Sequence, residues 1–335
     1  MERKVNLAII GLGHVSDYQL EALNYINNLS LRAACDIDRS KASKLNDNVM
    51  FDTEFKTILS DSSIDAILIS TPNKEHYALA KEALHAGKDI LLEKPATTTL
   101  KEYDQLVEIA DYNKRFIHIA YHAAFAKDLL WFSNAFKEKY KSELGPISGF
   151  SCGFYDPLII DGELQDEALS VGGSWIDSGI NALSVIGKLI DPNLLEVEDC
   201  KLTSLAQYPI SEIQGTVTFR FPIEVDDIAG VGTIDTNWTL NLNCKFSKLY
   251  FGETKSEILL DHSKQSVYKL TPDKKKERIF DGADKHRLVN HYIGVFEDFF
   301  ESIKNRNSNI DYSRRLHEIL YIPYSRKDNI KTCNE

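Results

Sequence analysis

Three short stretches carry side chains able to hold charge or move protons. In LLEKPATT, residues 91–98, Glu93, Lys94 and Pro95 follow a run that reads as a buried strand. Charge and proline commonly end strands, because proline has no donor for the ladder; the same placement also delivers a carboxylate and an ammonium to the rim of a sheet. In GGSWIDSGIN, residues 172–181, Asp177 and Asn181 are four apart and share one face if the segment is a helix. Asn181 cannot take a proton at neutral pH and can only position a hydroxyl. Asp177 could accept a proton, or could act as an N-terminal helix acid satisfying backbone donors. GLGHVS, residues 11–16, departs from GxGxxG only at Ser16. There the first glycine permits a tight turn, the second admits a pyrophosphate close to the backbone, and the third position needs only a small residue.

The elements that must position these residues alternate. Val5 to Ile10 reads as a buried strand ending at Gly11, HVSDYQLEALNYI as a crossover helix, and Leu31 to Cys35 as a second strand. IDAILIST, DILLEK and FIHIAY repeat the strand pattern, separated by KEHYALAKEALHAG, closed by Gly87, and TLKEYDQLVEIADYNK. This pattern predicts an α/β protein with an N-terminal doubly wound parallel sheet, a Rossmann fold, over residues 1–122. Ligands bind at the carboxyl ends of such strands, which places Gly11 to Ser16, Asp36, Thr71 to His76, Glu93 to Pro95 and Tyr121 to His122 along one crevice.

The glycine loop follows a strand, opens a helix and precedes Asp36, so Gly11, Gly13, His14 and Val15 are candidates for dinucleotide binding. Asp36 would accept from a ribose 2′-hydroxyl and repel a 2′-phosphate, which favours NAD. Arg39, Ser40 and Lys41 could bind that phosphate if Asp36 turned away, which keeps NADP open.

Composition narrows the partners. The chain has 335 residues, 43% of them hydrophobic, and a formal net charge of −11, which suits two domains and repels nucleic acid and anionic membrane. Its densest basic run, Lys274 to Lys276, reads as a solvated turn. Five scattered cysteines give no disulfide framework or zinc pattern and fit a reducing, cytoplasmic setting. No segment approaches about 18 consecutive apolar residues. His118 and His122 would stand about 13 Å apart on a strand, and His286 and His291 about 140° apart on a helix. No metal is expected.

From residue 123 to about 310 the pattern changes to period-two alternation, as in TVTFRF and GTIDTNWTL, with SKLYFGETKSEILLD reading as a hairpin. This predicts a C-terminal α+β domain with a large, mainly antiparallel open sheet whose exposed face suits a homo-oligomer, a dimer or tetramer. Trp238 could stack on a sugar or fill the core. The stripe Leu288, Tyr292, Val295, Phe299 and Ile303 reads as packing. A last helix over 311–327 is expected to return to the first domain, and DNIKTCNE to fray.

The glycine loop, STPNKEH (70–76), AGKDILLEKP (86–95) and GGSWIDSGIN together resemble the glucose-fructose oxidoreductase, inositol dehydrogenase and MocA family. That resemblance implies an NAD(P)-dependent sugar oxidoreductase. Glu93 would hold the nicotinamide ribose and Lys94 would stabilise developing alkoxide charge, with Thr71, Pro72, Asn73 and His76 as further cofactor contacts. His76 could equally be a helix-start histidine bonded to backbone. Most members carry histidine at the Asn181 position as base; here the acceptor would be Asp177, or Lys94 if burial lets it shed its proton. IDSGINALSVI is similar to the branch oxidising D-galactose or L-arabinose at C1, and YHAAFA resembles that branch's sugar-pocket segment, with Tyr121 in the aromatic place and His122 retained. Asp156 stands where the branch carries a glutamate. These features imply oxidation of an aldose to a lactone; a ring secondary hydroxyl of an inositol, sugar phosphate or nucleotide sugar is the alternative, and a non-catalytic regulator the more distant one.

Overall fold

The apolar runs at the start of the chain are the strands of a wholly parallel sheet. A computed structural model describes residues 4–223, 229–252, 256–271, 273, 275–325 and 330–333. Strands β1 (Val5–Ile10), β2 (Leu29–Cys35), β3 (Met50–Asp52), β4 (Ala66–Ile69), β5 (Asp89–Glu93) and β6 (Ile117–Ala120) lie in the order β3-β2-β1-β4-β5-β6. Helices α1 (Ser16–Leu23), α2 (Phe55–Ser60), α3 (His76–His85) and α4 (Leu100–Asn113) connect them. The continuous apolar strands are buried because helices cover both faces of such a sheet. Strand order reverses between β1 and β4, the switch point at which dinucleotides bind. Short β3 and α2 escape the sequence pattern, as three residues are too few to show a period.

The chain divides into two compact units. One reaches to His122 and adds Leu288–Arg314; the other spans Ala123–Arg287 and resumes at Arg315. The helix Arg287–Asn305, placed with the second domain by its position in sequence, thus belongs almost wholly to the first unit, where His118 Nε2 meets Asp298 at 2.9 Å. The last helix, Ile310–Ser325, is divided at Arg314. Its first turn meets the first unit through Tyr121 and Ser313, 2.8 Å apart, and Arg314 with Asp104, 2.8 Å. From Arg315 onward it packs in the second unit, where Leu320 O accepts from the Trp175 indole at 2.9 Å.

In the second unit β7 (Ile147–Tyr155) is followed by a two-stranded ribbon, β8 (Ile159–Ile160) with β9 (Glu163–Leu164). Then come β10 (Glu196–Leu205), β11 (Gln214–Pro222), β12 (Ala229–Asn237), β13 (Cys244–Phe251), β14 (Glu257–Asp261), β15 (Ser266–Leu270), β16 (Lys276–Asp281) and β17 (Ile330–Cys333). Nine of these form a mixed, largely antiparallel sheet, β16-β15-β14-β13-β7-β12-β11-β10-β17. β13 and β14 make the expected hairpin pairing. The expectation that the C-terminus frays is corrected: Ile330–Cys333 pairs in parallel with Leu202–Leu205, because β10 otherwise presents an open edge. Residues 328, 329, 334 and 335 lie outside the described residues, as does Lys274 of the basic run; Lys275 is exposed and Lys276 opens β16. Among the described residues no helix is long and apolar enough to cross a membrane.

Candidate functional site

The glycine loop is built as its residue types require. Gly11 has φ +92°, and a Cβ there would stand 2.5 Å from Ser70 O, so only glycine lets β1 turn beside β4. Over Gly13 nothing lies within 4 Å of a Cβ position, leaving its backbone open to a ligand. Ser16, at the third position, is buried and donates to Gly13 O at 2.6 Å. His14 is exposed and packs edge-on to Tyr18, while Val15 is half-buried. The Asp36 carboxylate accepts from Leu12 N at 2.7 Å and Asp38 N at 2.9 Å, so it braces the loop from the end of β2. Arg39 is exposed in the 3-10 turn that follows.

The same turn contributes Lys44, which sequence alone does not single out. Its ammonium donates to Gly13 O at 3.0 Å and Ser16 Oγ at 3.3 Å and pairs with Asp17 at 2.7 Å. A cation beside the start of α1 complements an anion docked on that helix end. Lys44→Met is expected to weaken NADH binding about fivefold at low salt, roughly 1 kcal/mol, and less at high salt. Fluorescence titration of NADH checks this, and an unchanged affinity would remove Lys44 from the cofactor's contacts.

At the ends of β4 and β5 the polar groups are tied together. Thr71 Oγ1 is buried and without a hydrogen-bond partner among the described residues, which suits a ligand contact; Pro72 is exposed and Asn73 half-buried. His76 is fully buried, its ring nitrogens 2.9 Å from Pro95 O and 2.9 Å from Thr71 O. It therefore links the two loops instead of facing a ligand, the backbone-bonded role. Burial pushes its pKa down against the pull of the two carbonyls, and a neutral ring donates to only one of them. The Lys94–Pro95 peptide is cis.

Glu93 is buried and accepts from Gln19 Nε2 at 3.0 Å and from the Tyr292 hydroxyl at 2.6 Å, with Lys94 N at 3.3 Å from its other oxygen. Burial raises its pKa, opposed by Tyr292 and by the Lys94 charge. Tyr292 thus does more than pack, correcting the reading of its stripe; a hydroxyl on an apolar helical face is a weak signal of this. His122 stacks beside His291, Nδ1 to Nδ1 at 3.3 Å, and its ring lies 5.5 Å from that of Tyr292.

The second unit holds its own polar cluster. Asp177 lies on a π-helical turn, Trp175–Gly179, that runs into the α-helix Ile180–Ile186, and Asn181 Nδ2 donates to Asp177 O at 3.2 Å. The wider turn replaces the plain α-helix expected but keeps the two residues on adjoining turns. Asn181 Oδ1 is buried without a partner among the described residues. Asp156, at the end of β7, accepts from Ser178 Oγ at 2.8 Å and pairs with Lys245, whose ammonium also reaches Tyr155 O at 3.1 Å and Asn243 Oδ1 at 2.5 Å. Burial alone would raise the Asp156 pKa, but the Lys245 charge brings it below the ordinary carboxylate value. Burial lowers the Lys245 pKa, with Asp156 and Asp177 pulling it up and Arg287 pushing it down. Lys245 has a sequence signal: in CKFSKLYF it occupies an inward position of the strand's alternation.

Two other constellations are structural. Trp238 is fully buried with Ile159, Ala168 and Ile213, so it fills the core and does not line a sugar site, correcting that assignment. Asp128, His262 and Ser247 are linked at 2.6 Å and 2.9 Å as in a hydrolase triad. Ser247 is fully buried with Cys152 Sγ 3.3 Å from its hydroxyl, so no acyl group can reach it.

Residues 5–121 match the GFO_IDH_MocA family model, described as an oxidoreductase family with an NAD-binding Rossmann fold. The chain is 27% identical over 180 residues to the uncharacterized oxidoreductase YdgJ of Escherichia coli K12, covering 53% of this chain and 51% of that protein. It is 24% identical over 132 residues to inositol 2-dehydrogenase of Salmonella typhimurium, covering 38% and 39%. At most about half the length of these curated relatives is spanned. The fold is similar to that of KijD10, a 3-ketoreductase from Actinomadura kijaniata solved with NADP and TDP-benzene, with TM-score 0.82, 15% identity and coverage of 99% and 100%. It is also similar to GenD2 from gentamicin A biosynthesis solved with NAD, with TM-score 0.78, 17% identity and coverage of 97% and 94%. The open backbone over Gly13, the Asp36 brace and the partnerless Thr71 hydroxyl fit a dinucleotide, in keeping with the match of residues 5–121 to an oxidoreductase family with an NAD-binding Rossmann fold.

Proposed function

We propose that the protein is an NAD(P)-dependent sugar oxidoreductase that oxidises an aldose at C1 to a lactone. The observation that carries the sugar reading is the polar cluster of buried Lys245 and Ser178 with half-buried Asp156, Asp177 and Asn181. Lys245 and Arg287 balance Asp156 and Asp177 in sign, which suits a neutral polyol whose hydroxyls both donate and accept.

A bound nicotinamide supplies the hydride acceptor. Lys94 stabilises negative charge on the reacting oxygen, Asn181 orients that hydroxyl, and Asp177, or Lys94 in its uncharged form, takes the proton. Asn181 in place of a basic residue favours C1, because an anomeric hydroxyl is more acidic than a ring hydroxyl and needs a weaker base. Loss of hydride and proton from the hemiacetal leaves the lactone.

The expected result is reduction of NAD or NADP at the nicotinamide absorbance band with free aldoses and none with their 1-O-methyl glycosides. Equal rates with methyl glycosides or inositols would move the reaction to a ring hydroxyl, and silence with all free sugars would point to a phosphorylated or nucleotide-linked substrate. A homo-oligomer through the nine-stranded sheet accompanies this reading; size-exclusion chromatography with light scattering tests it, and a monomeric mass would reject it.

A further inference from the structure

Glu212 stands just before β11 and is fully buried. Its Oε1 accepts from Trp175 N at 2.9 Å and from Ile176 N at 3.4 Å, the first amides of the turn that carries Asp177. The same segment grips the chain through its backbone: Glu212 O accepts from Ser174 N at 3.0 Å, and Ser211 N donates to Gly172 O at 2.9 Å. Gly173 is what admits the carboxylate, for a Cβ there would stand 2.2 Å from Oε1. The GGSW sequence is therefore shaped around an acid that arrives from the loop before β11. Helix starts leave amides without intrahelical partners, and an anion there meets both the donors and the helix dipole.

We propose that Glu212 is a positioning residue: its carboxylate fixes the first turn of the Asp177–Asn181 segment and thereby aims both side chains. The inference rests on the proposed function for its catalytic consequence only; the clamp itself is a property of the fold. Burial pushes the Glu212 pKa up to about 7, opposed by Tyr324 and by the two amides. Tyr324 is the titratable group facing it from the helix Ile310–Ser325, with Tyr321 beside Tyr324. Because burial holds this pKa above that of a hydrated carboxylate, the closed segment binds the proton more tightly than the opened one, so the clamp tightens as pH falls through neutrality and loosens above it.

Hydrogen exchange of the whole protein reads the clamp without any substrate. Protection of the Trp175 and Ile176 amides, corrected for intrinsic rates, is expected to rise about tenfold between pH 8 and pH 6, roughly 1.4 kcal/mol, and to lose that pH dependence in Glu212→Gln. Protection that does not change with pH in the unaltered protein overturns the proposal, even if the variant fails to fold. With an active substrate in hand, Glu212→Gln is further expected to flatten the alkaline limb of kcat while leaving NADH affinity unchanged. An identical alkaline limb in variant and parent overturns the aiming role. Absence of turnover in the unaltered protein with every sugar tested would instead count against the proposed reaction, leaving the exchange result to judge the clamp.

Discussion

Lys94→Ala is expected to lower kcat by about 100 to 1,000-fold while NADH still binds, because in the proposed reaction it removes one preorganised charge from the reacting oxygen. The residue follows the last position of β5, where Glu93 is already held by Gln19 and Tyr292. The substitution therefore leaves the carboxylate's two side-chain donors in place. It does take a cation away from Glu93, whose pKa burial already raises, so the neutral form of Glu93 is favoured further and any acid limb it governs moves to higher pH. Lys94→Arg separates the two roles open to the residue. Arginine keeps the charge but cannot deprotonate, so partial recovery of kcat marks Lys94 as an electrostatic group, and a rate as low as alanine's marks it as the base. A protein whose physiological response survives Lys94→Ala intact would be a dinucleotide sensor and not an enzyme.

What the sequence makes legible follows from how local the signal is. β1, β5 and the helices α3 and α4 are read to within about two residues, the usual uncertainty at element ends, because a continuous apolar run or a helical stripe is written in neighbouring residues. Gly11 and Asp36 are legible for the same reason, as strand ends marked by a glycine and an acid. His76 is visible but its role is not, since its partners Thr71 and Pro95 come from two loops that converge only in the fold. The roles of Gln19, Lys44 and Glu212 are invisible for the same cause, and that of Tyr292 is only weakly signalled: each acts on a residue brought near by sheet topology, between 28 and 199 positions away in the chain. β17 fails differently. Its four residues are all exposed, so they show no burial period, and its pairing exists only because β10 offers an edge.

Lys245→Met is expected to destabilise the second unit by about 3–5 kcal/mol, the cost of leaving one member of a buried ion pair without its partner. The Lys245 side chain is only 6% exposed, and that of Asp156 23%, so water cannot readily replace the lost ammonium. Removing both charges, in Lys245→Met combined with Asp156→Asn, is expected to restore most of the loss, since desolvation of two ions offsets much of their attraction. The pH dependence has a definite sign. In the parent, the Asp156 pKa is depressed, so its contribution is complete above the unfolded value of about 3.9 and is lost as pH falls through the folded value. In Lys245→Met the buried carboxyl has no cation and its pKa rises above 3.9, so the folded variant binds the proton first and gains stability as pH falls. Urea midpoints at pH 7 and pH 4.5 should therefore lie far apart at the first pH and converge at the second; a gap of the same size at both would show that Asp156 does not depend on Lys245 for its charge.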